Sequence, residues 1–353
     1  MGANMKVWIA TGGTGGHVFP ALAVATEIST RGHRVTVSCD GRVSKMVKDG
    51  VPHGAKTVHI WASGVGAKSH IKQIWALFKI GVSAMALVLR FMFSRPDRVV
   101  AFGGYASVPA VFAAHVWGIP TFLHEQNGAI GRANSFAMRW VKTLMTSFQN
   151  VSGIPKNTNA RVVYTGLPVR RDFMERAGAK LPGESRLLVT GGSLGAQILD
   201  EVVPVAIAQM KNKKIFVTHQ TRPENVARLQ QFYAENKIHA NVLSFIRDMA
   251  DAIAGADLII GRGGAGTVIE ITTIGRPAIL VPLGINPDQA ANAANYEKLG
   301  GGFAIAQDKF TPKWLNATLT ELFDNPLRLE KMAKKSLVPN RAVELIADTV
   351  LAK

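Results

Sequence analysis

The sequence predicts an α/β protein of two Rossmann-like domains whose parallel sheets face a deep cleft. Three observations carry this. The chain has 353 residues, too many for one ordinary domain and suited to two. Short β-branched or apolar runs alternate with helix-length amphipathic segments, the pattern of right-handed βαβ units in sheets covered on both faces. A glycine-rich turn also recurs: Ile9-Ala-Thr-Gly-Gly-Thr-Gly-Gly16 follows the first apolar run, and Val189-Thr-Gly-Gly-Ser-Leu-Gly-Ala196 follows the first run of the second half.

In chain order, strands are expected at residues 6–10, 34–38, 98–102, 121–124 and 161–164. The second half should have them at 186–190, 215–218, 241–245, 257–261 and 278–282. Glycine and proline interrupt the pattern at Tyr164-Thr-Gly-Leu-Pro168, so the domains are expected at 1–164 and 165–339. Residues 340–353 read as a helix after Pro339-Asn340; the sequence leaves open whether it packs back on the first domain. Sheets of this kind bind ligands beyond the carboxyl ends of their strands.

With 47% hydrophobic and 18% charged residues the chain is globular, not disordered. Its net charge of +17 is lopsided. Residues 1–164 hold 18 basic and 5 acidic side chains, whereas residues 165–353 hold 23 and 19. The first half therefore attracts polyanions: nucleic acid, anionic headgroups or a phosphorylated substrate. The single cysteine, Cys39, excludes an internal disulfide and a multi-cysteine zinc site and suits a reducing cytoplasm. No signal-peptide pattern opens the sequence. Residues 99–123 lack Asp, Glu, Lys and Arg, but glycines and prolines divide them, and residues 80–89 between Lys79 and Arg90 are too few to cross a bilayer.

The loop Thr11-Gly-Gly-Thr14-Gly15-Gly-His17 offers backbone N–H groups at a helix N-terminus, which suits a phosphate. It is not a Walker A loop, since no Lys-Ser/Thr follows its last glycine. Gly191-Gly-Ser193-Leu-Gly195 and Gly261-Arg-Gly-Gly-Ala265-Gly266 are of the same kind, and three such loops on one cleft suggest a diphosphate ligand. His17 is a candidate general base, with a helix cap or core histidine as the plainer reading. No Asp-x-Asp pair is present to chelate Mg²⁺. Glu270, on the helix after the third loop, is placed to accept from ribose hydroxyls; an exposed helix carboxylate is the plainer alternative.

Ile71, Ile74, Trp75 and Phe78 recur at helical spacing, flanked by Lys68, Lys72 and Lys79. Basic residues around exposed aromatics read as attachment to an anionic membrane surface. The same spacing suits core packing, and the sequence leaves the two readings level.

Taken together, Gly12-Gly-Thr-Gly-Gly-His-Val-Phe-Pro-Ala-Leu-Ala23, Phe102-Gly-Gly-Tyr105, His124-Glu-Gln-Asn127, Gly166-Leu-Pro-Val-Arg170, Gly191-Gly-Ser-Leu-Gly-Ala196, Phe245-Ile-Arg-Asp-Met249 and Gln289-Ala-Ala-Asn-Ala293 are specific. In that order they resemble the MurG family of bacterial N-acetylglucosaminyltransferases over essentially the whole length. The resemblance implies a GT-B fold, UDP-N-acetylglucosamine as donor, and lipid I, an undecaprenyl-diphosphoryl N-acetylmuramoyl-pentapeptide, as acceptor. It further implies a peripheral enzyme on the cytoplasmic face of the inner membrane, acting in peptidoglycan synthesis and so in cell shape and division, with other cell-wall enzymes as candidate partners. No cofactor is expected, and a divalent ion has no visible ligand set.

By the family pattern the second domain holds the donor through Arg170, Ser193, Ile246, Met249, Ala265, Glu270 and Gln289. The first domain's Thr14, Gly15, Tyr105, Asn127 and Asn134 would meet the acceptor, with His17 or Glu125 taking its proton. Lys68, Lys72, Trp75 and Phe78 would touch the membrane. The rivals are a sugar-nucleotide 2-epimerase on the same fold, which gives no reason for a basic apolar patch, and a nucleic-acid-binding protein, for which no reading motif is visible. Nucleic acid is not expected as a partner.

Overall fold

The structure is a computed structural model and describes residues 4–62, 70–192, 195–211 and 214–352. The chain divides into two compact units, Met1–Arg170 with Asn340–Lys353, and Arg171–Pro339.

The first unit is built on seven strands: β1 (Lys6–Ala10), β2 (Arg34–Cys39), β3 (Lys56–His59), β4 (Arg98–Ala101), β5 (Thr121–Glu125), β6 (Thr143–Thr146) and β7 (Arg161–Tyr164). They pair in parallel in the order β3-β2-β1-β4-β5-β6-β7. Alternation along β1 sends Val7 and Ile9 to one face and Trp8 and Ala10 to the other, and all four are buried because helices cover both faces. On one side the helix Gly15–Thr30 contributes Val18, Ala21, Ala25 and Ile28, and the helix Ala342–Leu351 adds Ile346, Ala347 and Val350 to the same cluster. On the other side Leu87 and Phe91 of the helix His70–Phe93 pack with Ala110, Ala113 and Ala114 of the helix Val108–Val116. Phe91 is fully buried, so it contributes roughly 1.5–3 kcal/mol of apolar burial and fixes which face of its helix turns inward.

The second unit is built on β8 (Arg186–Thr190), β9 (Phe216–Gln220), β10 (His239–Leu243), β11 (Leu258–Gly261), β12 (Ala278–Leu280) and β13 (Gly302–Ala304). The order is β10-β9-β8-β11-β12-β13, again parallel. Arg276 is buried in this unit and donates to five backbone carbonyls, those of Ala179, Lys180, Ile253, Ala254 and Gly275. Burial lowers its pKa to about 10.

Strands β3, β6 and β13 were not expected from the sequence, and the change of unit falls at 170/171 instead of 164/165. Residues just past β7 stay with the first sheet by hydrogen bonding. The amides of Thr165 and Gly166 both donate to Thr146 O, and Asn340 Nδ2 donates to Leu167 O.

Candidate active site

In each sheet the strand order reverses between two neighbours, β1 and β4 in the first unit and β8 and β11 in the second. Connections leave such a pair toward opposite faces, so the loops beyond its carboxyl ends splay apart and leave room for a ligand.

In the first unit Ser107 ties these loops together, donating its hydroxyl to Ala10 O at 3.1 Å and to Gly103 O at 2.6 Å. Thr14 is the extended N-cap of the helix that Gly15 begins, and its Oγ1 lies 3.1 Å from His17 Nδ1. His17 keeps a partly exposed edge, yet desolvation, helped by the Arg42 guanidinium and opposed by Asp40, brings its pKa to about 4. Its ring is therefore neutral at pH 7. Gly103 has φ +85°, and a Cβ there would lie 3.0 Å from His17 Cδ2 and 3.3 Å from Asn134 Oδ1, so a side chain would collide with the imidazole.

Glu125 ends β5 and is buried, with both oxygens engaged. Oε1 accepts from Asn127 N at 3.0 Å and Asn127 Nδ2 at 3.4 Å, and Oε2 accepts from Gly131 N at 2.9 Å and Asn134 Nδ2 at 2.7 Å. Burial raises its pKa, and these four donors partly offset that rise. His124 is fully buried with Nε2 2.9 Å from Gly166 O, and burial lowers its pKa to about 4. Tyr105, half-buried, stands in the turn after β4.

The first glycine loop is less free than its sequence suggested. Asp40, just past β2 and fully buried, accepts from Gly13 N at 2.9 Å and Arg42 N at 2.9 Å. Its carboxylate also takes Arg42 Nη2 at 2.7 Å. An acidic residue at the end of the second strand holds ribose in dinucleotide-binding domains. Here that carboxylate is already spoken for.

In the second unit a cavity of about 710 Å³ is lined by Gly191, Gly192 and Gly195 of the second glycine loop, with Gly264, Thr267, Gln289, Arg222 and Arg262. Gly192 N donates to the Thr190 hydroxyl at 3.2 Å, a neutral partner in place of a carboxylate. Arg262 Nη1 is held by Val281 O and Gln307 Oε1 at 3.0 and 2.9 Å. Asn286 caps the helix Pro287–Leu299, placing Gln289 in its first turn with Oε1 accepting from Leu283 N at 2.9 Å. Ala265 begins the helix Ala265–Ile274, on which Glu270 lies three residues beyond Thr267 and so on the same face, partly exposed.

The first unit thus gathers Thr14, Gly15, His17, Glu125, Asn127 and Asn134 beyond its switch-point strands. Gln289 lines the second unit's cavity. Ile246, buried, and Met249 follow β10, and neither they nor Ala265 and Glu270 are among the residues lining that cavity. Arg170, expected on the donor domain, is exposed and ends the first unit, to which Thr165, Gly166 and Leu167 just before it remain hydrogen-bonded. Ser193 and Lys68 lie outside the described residues. Sequence reasoning missed Asp40, Arg42, Arg222 and Gln307, which only strand pairing brings to the loops, and gave no role to Arg262 within the third loop. Among the described residues no group of three or more His, Cys, Asp or Glu is placed to hold a metal ion.

The segment expected to touch a membrane is exposed over most of its apolar residues. Ile71, Ile74, Trp75 and Phe78 are all exposed, so the core-packing alternative does not hold for them. The exposed stripe continues through Val82, Met85, Leu89, Met92 and Phe93, while Ala76, Ser83, Ala84, Leu87 and Phe91 face inward. The 10-residue stretch judged too short to cross a bilayer belongs to a helix of 24 residues whose segment Ile71–Phe93 is long and apolar enough to do so by length and composition. One side of that helix is tied to the fold, by Trp117 Nε1 donating to Val88 O at 2.8 Å and by Phe91 against Trp8 at 5.0 Å between centroids. At its start Trp75 stacks on Phe78 and meets Trp61 edge-on, and Lys79 Nζ lies 5.4 Å from the Trp61 ring.

Residues 7–146 match the glycosyltransferase family 28 N-terminal domain, and residues 186–350 match the family 28 C-terminal domain. A protein of Methylobacterium sp. (strain 4-46), named UDP-N-acetylglucosamine--N-acetylmuramyl-(pentapeptide) pyrophosphoryl-undecaprenol N-acetylglucosamine transferase, is 38% identical over 367 residues, covering 99% of this chain and 98% of its own. A Methylobacterium nodulans protein of the same name is 39% identical, with 98% and 96% covered. The solved structure of Acinetobacter baumannii MurG superposes with a TM-score of 0.83 at 33% identity, covering 99% of this chain and 100% of that one.

Two Rossmann-like units in one chain, each with a glycine loop at its switch point and together matched by the two family 28 domains, make this a glycosyltransferase of the GT-B fold. Within that class the chain belongs to the MurG family of UDP-N-acetylglucosamine-dependent transferases.

Proposed function

We propose that this chain transfers N-acetylglucosamine from UDP-N-acetylglucosamine to the C4 hydroxyl of undecaprenyl-diphosphoryl N-acetylmuramoyl-pentapeptide, making lipid II for peptidoglycan. Family membership supports the reaction and displaces the epimerase and nucleic-acid readings. The observation that carries the division of labour is the unequal chemistry of the two glycine loops. The first is tied to the buried Asp40 carboxylate, whereas the second lines a cavity with two arginines. A donor diphosphate, with negative charge growing as it leaves, is stabilised by the second and not by the first.

In this reading Glu270 accepts from the ribose hydroxyls and the Ile246 backbone, beside Met249, reads uracil. Ser193 and Ala265 meet the diphosphate, and Gln289 reads the sugar. Thr14, Gly15, Tyr105, Asn127 and Asn134 hold the acceptor. With Nδ1–H donated to Thr14 Oγ1, His17 Nε2 carries a lone pair for the acceptor's C4 proton. The freed oxygen pair attacks the anomeric carbon from the face opposite UDP, the bond to the β-phosphate breaks toward UDP, and the sugar inverts. A pKa near 4 keeps this imidazole neutral at pH 7 and so able to accept the proton. Glu125, with four donors on its two oxygens, serves as the organiser of Asn127 and Asn134, leaving the proton to His17.

The exposed stripe from Ile71 to Phe93, with Lys72 and Lys79, fits the interface of an anionic bilayer, and the lateral ties of its helix favour lying on the membrane over crossing it. In this reading the enzyme works peripherally on the cytoplasmic face, where the acceptor's lipid stays in the bilayer.

Incubation with radiolabelled UDP-N-acetylglucosamine and a lipid I analogue tests the reaction. Label is expected in the lipid phase in equimolar amount with UDP. Release of free sugar without labelled lipid would refute the transfer.

A further inference from the structure

β9 ends at Gln220, and the residues that follow lie beside the second glycine loop. Thr221 is buried, donating its hydroxyl to Asp200 Oδ2 at 2.6 Å and its amide to Leu243 O at 3.0 Å. Asn225 Nδ2 donates to the same oxygen at 2.9 Å. Asp200 stands on the helix Gln197–Ala208, which the glycine loop leads into, and is itself buried. Its Oδ1 meets His219 Nε2 at 3.1 Å, and His219 Nδ1 meets the Tyr233 hydroxyl at 2.9 Å. One buried carboxylate therefore staples the loop's helix to residues on both sides of Arg222.

Arg222 itself is exposed, lines the 710 Å³ cavity with Arg262, and stands against the loop. Gly195 has φ +65°, and a Cβ there would lie 2.8 Å from Arg222 Cγ and 3.4 Å from its Nε. Only glycine lets the loop and the arginine approach this closely. The first unit carries an arginine at the corresponding place, Arg42 after β2, with Nη2 3.7 Å from where a Gly13 Cβ would be. There Asp40 neutralises it.

We propose that Arg222 is a ligand of the donor diphosphate, presented to it by the Asp200 staple. The proposal rests on the UDP-sugar reading above and adds a residue to it. A guanidinium beside loop amides supplies a planar pair of donors to two phosphate oxygens, and the cation offsets the charge that grows on UDP as it leaves.

Calorimetry with uridine and UDP tests this. Arg222→Ala is expected to raise the UDP Kd roughly 10- to 100-fold, the span of a hydrogen bond to a charged group, and to leave the uridine Kd unchanged. Arg222→Lys should recover part of the loss, as a point charge without the fork. Asp200→Asn should shift UDP in the same direction, with unchanged uridine binding reporting an intact fold. UDP affinity unaltered by Arg222→Ala overturns the role of Arg222, and equal losses for uridine and UDP overturn it too. A parent chain that binds UDP no better than uridine would overturn the donor reading itself.

Discussion

Asp40 Oδ2 accepts the amide of Gly13 at 2.9 Å, so the first glycine loop is held from beneath by a fully buried carboxylate. Removing that carboxylate leaves the Gly13 N–H and the Arg42 guanidinium without it. Asp40→Ala is expected to cost about 1–3 kcal/mol of stability, and Asp40→Asn less, since one oxygen still accepts. Urea denaturation measures the difference; a loss below about 1 kcal/mol for the alanine variant would show the loop to be held by other contacts.

Glu125 and His17 should separate by kind of defect. All four contacts to Glu125 come from N–H donors, so an amide at this position opposes a donor to donors on at least one side. Glu125→Gln should lower stability by about 1–3 kcal/mol and weaken acceptor use while UDP affinity stays. His17→Ala should leave both stability and UDP affinity nearly intact and cut turnover by roughly 10²–10⁴. A fall of only a few-fold would reduce His17 to a helix-start residue.

His17 and His124 set a pH dependence. His17 and His124 both fall to about 4 in the fold, below the ordinary 6.5, so the folded state resists their protonation. Their stabilisation is complete above about pH 6.5 and is lost as pH falls toward 4, by up to about 3 kcal/mol for each ring. Glu125 acts in the opposite sense, because its raised pKa favours the protonated fold at low pH. The urea midpoint should therefore drop between pH 7.5 and 5, and drop less in His124→Gln. A flat midpoint over that range contradicts the assignment.

The strands that open each half were legible because a clean apolar run led into a glycine turn. β13 was not: it has three residues, and Gly302 is there because any side chain would run into the Ala278 carbonyl, a demand of register with no local signature. β3 reads Lys-Thr-Val-His and sits at the sheet edge, exposed, so it lacks the alternation that burial imposes. The motif residues His17, Glu125 and Gln289 stood out in the sequence. Asp40, Arg42 and Arg222 did not, since an isolated acid or base gains meaning only when parallel pairing sets it beside a loop distant in sequence. The helix at 70–93 was ambiguous because both of its faces are apolar; small Ala76, Ser83 and Ala84 pack inward, and the larger Ile74, Trp75 and Phe78 are left outside.

Glu270 is predicted to hold the ribose. Glu270→Ala should weaken UDP binding by roughly 1.5–3 kcal/mol if both hydroxyls lose their acceptor. A second ligand sharpens the test: 2′-deoxy-UDP should bind the parent more weakly than UDP but lose less on the substitution. Equal losses for the two nucleotides would move the ribose away from Glu270.

Membrane docking is predicted to use the whole exposed stripe from Ile71 to Phe93. At about 1.5 Å per residue the helix is roughly 36 Å long, and its outward residues stay in line over that length. Apolar insertion contributes roughly 25 cal/mol per Å² buried, and each basic residue near an anionic surface about 1 kcal/mol, weakened by salt. Neither contribution anchors firmly alone. Vesicle sedimentation should show binding to anionic liposomes that falls with added salt and is weak on neutral lipid. Trp75→Ser/Phe78→Ser removes the aromatic cluster beside Lys79, and Leu89→Ser/Met92→Ser removes the far end; each pair should weaken binding and the four together should abolish it. Because all four side chains are exposed, circular dichroism and UDP affinity should match the parent. If only the first pair matters, docking is confined to the start of the helix; if neither does in a normally folded protein, the enzyme meets its lipid substrate through another surface.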